Sequence, residues 1–258
     1  MYRALALLLA AAVPLTACDL KLDDEEIAKL VASSQSGLDS DEGGAPAKAG
    51  CRDCTVDELR ASLLGVFGFC TTAEVVPAAT SSCPEVSGKA AVLVHYNLCD
   101  LGVGRPFSGT ELIVPELGTG KRFFDLDVAN DKRTLTACGV WTGDLADHAT
   151  TVDAVVTGPQ VEANLAWDGH TTRSDTLLTR SGTLDAHLVG KRGGTFDVSV
   201  TLDGLERTLG DVYPHTGSLS FTTENGTATL TFSEKSPTDG SASLVRSDGE
   251  EVAITLPL

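Results

Sequence analysis

The chain has 258 residues, of which 36 are acidic and 19 are Lys or Arg, and its formal net charge at pH 7 is −17. This charge excludes nucleic-acid binding, because that function needs a cationic surface that replaces the counterions of the phosphates. The sequence has no series of apolar runs of about 18 residues, which excludes a protein that crosses the membrane several times through helices. Hydrophobic residues make up 42 % of the chain, enough for a folded core.

Residues 1–17 have the features of an export signal. Arg3 supplies a positive charge, and the apolar stretch from Ala4 to Leu15 is too short for a permanent membrane span. The residues at its end, Leu15-Thr16-Ala17-Cys18, resemble the lipobox of bacterial lipoproteins. The resemblance implies cleavage before Cys18, a lipid on the Cys18 sulfur and a place in the bacterial cell envelope, on the periplasmic face or at the cell surface. The choice between inner and outer membrane stays open.

Residues 18–50 predict the lipidated cysteine followed by a flexible acidic tether. Eight acidic residues and three lysines lie between residues 19 and 50, and large apolar residues are almost absent after residue 33. Such a composition buries too little surface to offset the entropy of the chain. The implied partner of this region is the membrane, reached through the lipid.

The six remaining cysteines predict disulfides, because an even number of cysteines in an exported chain is typical of them. They are Cys51, Cys54, Cys70, Cys83, Cys99 and Cys138. We expect Cys83 to pair with Cys99, and Cys51 or Cys54 to pair with Cys70. The spacing of Cys51 and Cys54 before a helix also fits a thiol redox site. A structural disulfide is favoured, since no strand precedes this pair.

Residues 51–82 predict a helical segment bracketed by cysteines. Thr55 and Glu58 form a capping box, in which each side chain accepts a hydrogen bond from a backbone amide of the first turn. Val56, Leu59, Leu63 and Val66 then recur at helical spacing. The pattern predicts a short helix at about residues 56–67.

Residues 83–258 predict an antiparallel β domain. Apolar and polar residues alternate in several stretches, for example around Val92–Leu98, Phe124–Val128 and Val161–Trp167. The fold class is therefore mainly β, an antiparallel meander of roughly ten to twelve strands with one short N-terminal helix. A sandwich, an open barrel and a half-barrel all stay open. The stretch from Tyr213-Pro214 to Phe221 resembles strands of uncharacterised β-rich envelope lipoproteins.

Three turn signals predict particular hairpins. Asn225-Gly226 predicts a two-residue turn that pairs Glu224 with Thr227, Phe221 with Leu230 and Leu219 with Phe232. Asp248-Gly249 predicts a similar turn that places Val245 opposite Val252. Asp168-Gly169 predicts a turn directly after Trp167.

No motif identifies a catalytic residue, a metal site or a cofactor. The five histidines (His95, His148, His170, His187 and His215) are scattered, and the sequence lacks both HExxH and GxSxG. His95 and His187 fall on polar strand faces. Trp141 and Trp167 fall on apolar faces, which predicts core positions.

The sequence favours a non-enzymatic, membrane-anchored envelope lipoprotein that acts as a binding or scaffolding module. Its partner is then another envelope protein, and its oligomeric state is open. The first alternative is a carrier of an apolar ligand, such as a lipid, on the concave face of a curved sheet. That alternative requires a lined cavity which the helix leaves uncovered. An enzyme with an unrecognised site and a CxxC thiol redox protein are the remaining alternatives.

Overall fold

A computed structural model describes residues 54–67, 70–99, 106–144, 146–191, 193–224 and 226–256. The export signal, Cys18, the acidic tether and Cys51 lie outside the described residues. The described chain forms one sheet of 13 antiparallel strands, in which each strand pairs with its neighbours in sequence. The prediction of a mainly β antiparallel meander is confirmed, with slightly more strands than expected.

The sheet is open, because its first and last strands do not pair with each other. The elements run in this order: α1 (Val56–Phe67), β1 (Thr71–Val76), β2 (Ala91–Cys99), β3 (Phe107–Glu116), β4 (Lys121–Ala129), β5 (Thr134–Gly143), β6 (Asp147–Thr157), β7 (Val161–Arg173), β8 (Leu177–Gly190), β9 (Thr195–Thr208), β10 (Thr216–Thr223), β11 (Gly226–Phe232), α2 (Ser236–Asp239), β12 (Ser241–Arg246) and β13 (Glu251–Thr255).

The predicted capping box starts α1. The Thr55 amide donates to Glu58 Oε2 (2.9 Å), and the Glu58 amide donates to Thr55 Oγ1 (3.3 Å). The helix buries Leu59, which is 1 % exposed, against the sheet. Strand β1 lies inside residues 51–82, which the sequence assigns to the helical segment. Its Thr-Thr-Ala-Glu-Val-Val sequence is rich in β-branched residues, which favour strands.

One face of the sheet is apolar and carries two core clusters. The first joins strands β2–β7 with Leu59, and the second joins β9–β13 with Tyr213. Leu184, Ala186, Val200 and Leu202, on β8 and β9 between the two clusters, are only partly buried. The middle of the sheet is therefore the part with the thinnest apolar cover.

The loop between β1 and β2 crosses the opposite, polar face of the sheet. Its residues Ala79, Cys83 and Val86 are buried in a third, small cluster with side chains of β2 and β3. The disulfide Cys83–Cys138 ties this loop to β5. The loop is thus fixed over the polar face of the first five strands.

The disulfides are present, but the expected pairings are wrong. Cys70 is bonded to Cys99, and Cys83 to Cys138. Cys70 and Cys99 lie at the same end of the β1–β2 hairpin, because Thr71 pairs with Tyr96. Cys99 belongs to the first core and Cys83 to the cluster on the polar face, so the sheet separates the two residues that we expected to pair.

Cys54 is also disulfide-bonded. Since Cys70 is bonded to Cys99, the expected Cys54–Cys70 pair does not form. The four other described cysteines pair with one another, so the partner of Cys54 lies outside the described residues.

The β10–β11 hairpin forms where expected but in a register shifted by two residues. Thr223 pairs with Gly226, and Leu219 pairs with Leu230. Because side chains alternate between the faces with a period of two, this shift keeps the apolar residues on the predicted face. It places the large ring of Phe221 opposite the small side chain of Ala228, which a close-packed core accommodates.

The β12–β13 hairpin is shifted by one residue, which reverses the faces that we predicted for β12 and leaves Val252 and Ile254 of β13 on the core side. Leu244 pairs with Val252 and is fully buried, whereas Val245 pairs with Glu251 and is 37 % exposed. The Arg246 amide donates to the Glu250 carbonyl, so three residues form the loop instead of two. Gly249 (φ 83°) ends this loop in the left-handed conformation that such a three-residue turn requires.

The predicted turn at Asp168-Gly169 is wrong, because β7 continues through it to Arg173. Gly169 pairs with Gly182 on β8, and a Cβ atom on either glycine would collide with the ring of Trp167. The two glycines therefore make room for the indole on the sheet surface. Trp167 is partly buried against the first core, and Trp141 is 4 % exposed.

The register of the last hairpin predicts unequal costs for two neighbouring truncations. Leu244→Ala removes a fully buried side chain and should lower the free energy of unfolding by about 2–5 kcal/mol. Val245→Ala, at a partly exposed position, should cost about 0.5 kcal/mol. Urea unfolding of the two variants measures both values. A larger cost for Val245→Ala would contradict the three-residue turn.

Candidate functional site

A groove of about 730 Å³ runs across the polar face of the sheet. Side chains and backbone of β4–β10 line it, and Ser82 of the loop between β1 and β2 closes one end. Its lining residues are Ser82, Asp125, Thr136, Ala137, Cys138, Asp153, Ala154, Val155, Asn164, Leu165, Ala166, Asp185, Ala186, His187, Asp197, Val198, Ser199, Thr222, Thr223 and Glu224. We call it the polar-face groove.

Three carboxylates of the groove lie in one row across the strands. Cross-strand pairing places Asp125, Cys138, Asp153, Ala166 and Asp185 side by side on β4–β8. Neighbouring strands lie about 4.8 Å apart, so the backbone positions that carry the carboxylates are about 10 Å apart. Between Asp153 and Asp185 the small side chain of Ala166 leaves open space, whereas between Asp125 and Asp153 Cys138 is bonded to Cys83 of the loop.

The polar-face groove is negatively charged. Its lining contains the acids Asp125, Asp153, Asp185, Asp197 and Glu224 and no Lys or Arg. The one histidine of the lining, His187, lies with Nδ1 2.6 Å from Asp197 Oδ1. The groove therefore attracts positively charged groups and hydrogen-bond donors.

Hydroxyl groups extend the groove at its Ser82 end. A smaller cavity of about 290 Å³ shares Ser82, Asp125 and Thr136 with it and is lined further by Thr80, Ser81, Thr110, Leu112 and Asp127. Ser81 Oγ donates a 2.6 Å hydrogen bond to Asp125 Oδ2. This bond and the Cys83–Cys138 disulfide hold the loop as a wall of the groove.

The apolar face, where a carrier would hold its ligand, is occupied by the core. Val92, Phe124 and Leu135 on this face are at most 1 % exposed. Leu59 of α1 packs into the same cluster. The polar-face groove lies on the opposite face of the sheet.

The histidines are distributed along the sheet. Four of them contact a carboxylate of a neighbouring strand or loop: His95 with Glu74 (3.7 Å), His170 with Asp147 (2.6 Å), His187 with Asp197 (2.6 Å) and His215 with Glu206 (2.9 Å). Both histidines predicted to lie on polar faces, His95 and His187, are exposed. No group of three or more His, Cys, Asp or Glu in the described ranges is placed to hold a metal ion.

The remaining predicted site residues lie in two places. Cys18 and Cys51 are outside the described residues, whereas Cys54 is buried and disulfide-bonded. Neither α1 nor α2 has the length and apolar content that a membrane-crossing helix requires. Protein-family models, curated proteins and solved structures give no match to this chain.

Sequence reasoning did not identify the acidic row of the groove. Each of its aspartates stands at a polar position of an alternating strand, which in the sequence marks only a face exposed to water. The row appears when the register aligns Asp125, Asp153 and Asp185 across five strands. The only signal in the sequence was that acidic residues recur at the polar positions of several alternating strands.

His148 differs from the other histidines because it is packed against an aromatic ring. Its ring centroid lies 5.1 Å from that of Trp141, and its Nδ1 lies 3.1 Å from the Asp144 carbonyl oxygen. Burial is the largest cause that lowers the pKa of His148 to about 4. The fold therefore favours the neutral imidazole.

This lowered pKa predicts a pH-dependent stability. Between pH 6.5 and about 4 the unfolded chain protonates His148 and the folded chain does not, so the free energy of unfolding should decrease as the pH falls through this window. His148→Phe keeps a ring beside Trp141 but has no group to protonate, so the free energy of unfolding should decrease by about 1–2 kcal/mol less than in the wild type. The expected difference is modest because part of the His148 ring is solvated. Urea unfolding of both proteins across the window measures the difference. Equal slopes, or an NMR titration midpoint near 6.5 for His148, would contradict it.

Proposed function

We propose that this chain is a lipid-anchored, non-enzymatic binding module of a bacterial cell envelope, and that the polar-face groove holds its ligand or partner. The groove carries the proposal, because it is a large open cavity on a face of the sheet that no described helix or strand covers. Its carboxylates and hydroxyls suit a polar group with positive charge. The lipobox-like sequence that ends at Cys18 supports the anchor.

The arrangement of the cores supports the polar face rather than the apolar face as the binding surface. An apolar ligand needs an apolar lined cavity, and on the apolar face of β2, β4 and β5 the side chains of Val92, Phe124 and Leu135 are buried by other side chains. The disulfides are compatible with an exported protein, since such bonds form in oxidising compartments. The Cys83–Cys138 disulfide also fixes the loop that forms one wall of the groove.

The lipid anchor predicts that Cys18→Ala releases the protein from the membrane. Two or three acyl chains bind a membrane stably because each buried CH₂ group contributes about 0.8 kcal/mol. Expression with a labelled fatty acid, followed by fractionation, measures both lipid attachment and location. Ala17→Gly, which keeps a small residue before the cysteine, is the matched control and should stay labelled. Labelled Cys18→Ala protein in the membrane fraction would contradict the anchor.

The groove predicts that a bulky residue at Ala166 blocks ligand binding. Ala166 is exposed between Asp153 and Asp185, so Ala166→Trp fills the groove without entering the core. Native mass spectrometry is done on exported protein that carries Cys18→Ala and therefore no covalent lipid. It should show a discrete bound mass when Ala166 is kept and none in Ala166→Trp. Ala129→Trp is the control, because Ala129 is exposed on β4 but does not line the groove.

Two results would contradict this proposal. A bound mass typical of a lipid that Ala166→Trp retains would support the carrier of an apolar ligand instead. A bare protein in all three samples would exclude a small ligand held tightly in the groove.

A further inference from the structure

The two edges of the sheet are protected to different degrees. At β1, the helix α1 packs against the edge strand, and Arg60 Nε donates a 2.9 Å hydrogen bond to the Ala73 carbonyl oxygen. At the other end, β13 pairs with β12, and no strand of the described chain pairs with its outer edge. An open strand edge presents a row of backbone N–H and C=O groups that can pair with another strand.

The sequence of β13 lacks the usual protection of an open edge. Such edges commonly carry a charged residue or a proline within the strand. The centre of β13 is Val252-Ala253-Ile254, and its only charged residue is Glu251 at the start. A backbone with β-branched residues and no central charge is well suited to pairing.

The apolar face of β13 also extends toward its open edge. Val252 pairs with Leu244, and Ile254 pairs with Ala242, both on the face of the second core. Val252 and Ile254 are only partly buried, whereas Leu244 is fully buried. A further strand beside β13 would cover these two side chains and so continue the core.

We infer that the occupant of this edge is the β13 strand of a second copy, paired antiparallel around a two-fold axis at Ala253. In this register Val252 faces Ile254 of the second copy on the core side, and Glu251 faces Thr255 of the second copy. Ala253 faces its own counterpart. No like charges oppose each other, and each copy supplies the same surface, as a two-fold interface requires.

The pairing predicts a cross-link at the axis. Residues directly opposite in an antiparallel pair have Cβ atoms about 5 Å apart, so Ala253→Cys in the exported full chain should form an intermolecular disulfide under mild oxidation. Val245→Cys is the matched control, because Val245 is exposed on the same face but on β12, one strand from the edge. Peptide mapping should show that the substituted positions of two Ala253→Cys chains are bonded to each other, and should find no such bond between two Val245→Cys chains.

A charge at the axis should separate the copies. Sedimentation of the wild type is expected to show a dimer at concentrations on the order of 100 μM, since an interface of two short strands is small and weak. Ala253→Lys places two like charges opposite each other and should reduce the dimer fraction at least about fivefold, while Val245→Lys should leave it unchanged. Circular dichroism of both variants checks that they are folded.

Three results would overturn the inference. The first is a wild type that stays monomeric at all concentrations up to about 100 μM. The second is a dimer that Ala253→Lys does not weaken. The third is a cross-link in Ala253→Cys that is no more abundant than the cross-link in Val245→Cys. None of these results bears on the groove, because Ala253 does not line it.

Discussion

Cross-strand hydrogen bonding between neighbours in sequence is the constraint on which the whole structure depends. Every strand between β1 and β13 pairs with the strand before it and the strand after it, so that short turns connect most of the sheet. In such a meander, every turn sets the register of the next pair, and a shift of one residue exchanges the two faces. The turn at residues 247–249 shows the effect, since its third residue decides that Leu244 is buried and Val245 is exposed.

The register also assembles the polar-face groove. Asp125, Asp153 and Asp185 are separated by about 30 residues in the chain, and only the pairing of β4–β8 brings them into one row. The same sheet supplies a rigid base, and the Cys83–Cys138 disulfide fixes the loop at one end. We propose that this polar surface binds its ligand or partner through charge and hydrogen bonds, while the apolar face stabilises the fold. The separation of the two tasks follows from the alternation of side chains in a strand.

Local patterns in the sequence predicted the helix and the strands better than they predicted which residues pair with each other. The capping box of Thr55 and Glu58 and the helix after it are confirmed, because all of the interactions involved lie within one helical turn. The prediction of a turn at Asp168-Gly169 is wrong, because these two residues also fit a strand in which the glycine makes room for Trp167. The predicted disulfide pairs are wrong because the real pairing depends on which face of the sheet each cysteine occupies, and the sequence alone does not show this.

The sequence by itself determined the fold class, the N-terminal helix and the division of each strand into an apolar and a polar face. These properties depend on residue type and spacing over a few positions, where local sterics and hydrophobicity act. The tertiary structure alone decided the strand register, the cysteine pairs, the row of aspartates and the open edge at β13. Each of these depends on distances between residues far apart in the chain, and such distances are fixed only when the backbone hydrogen bonds of the whole sheet have formed.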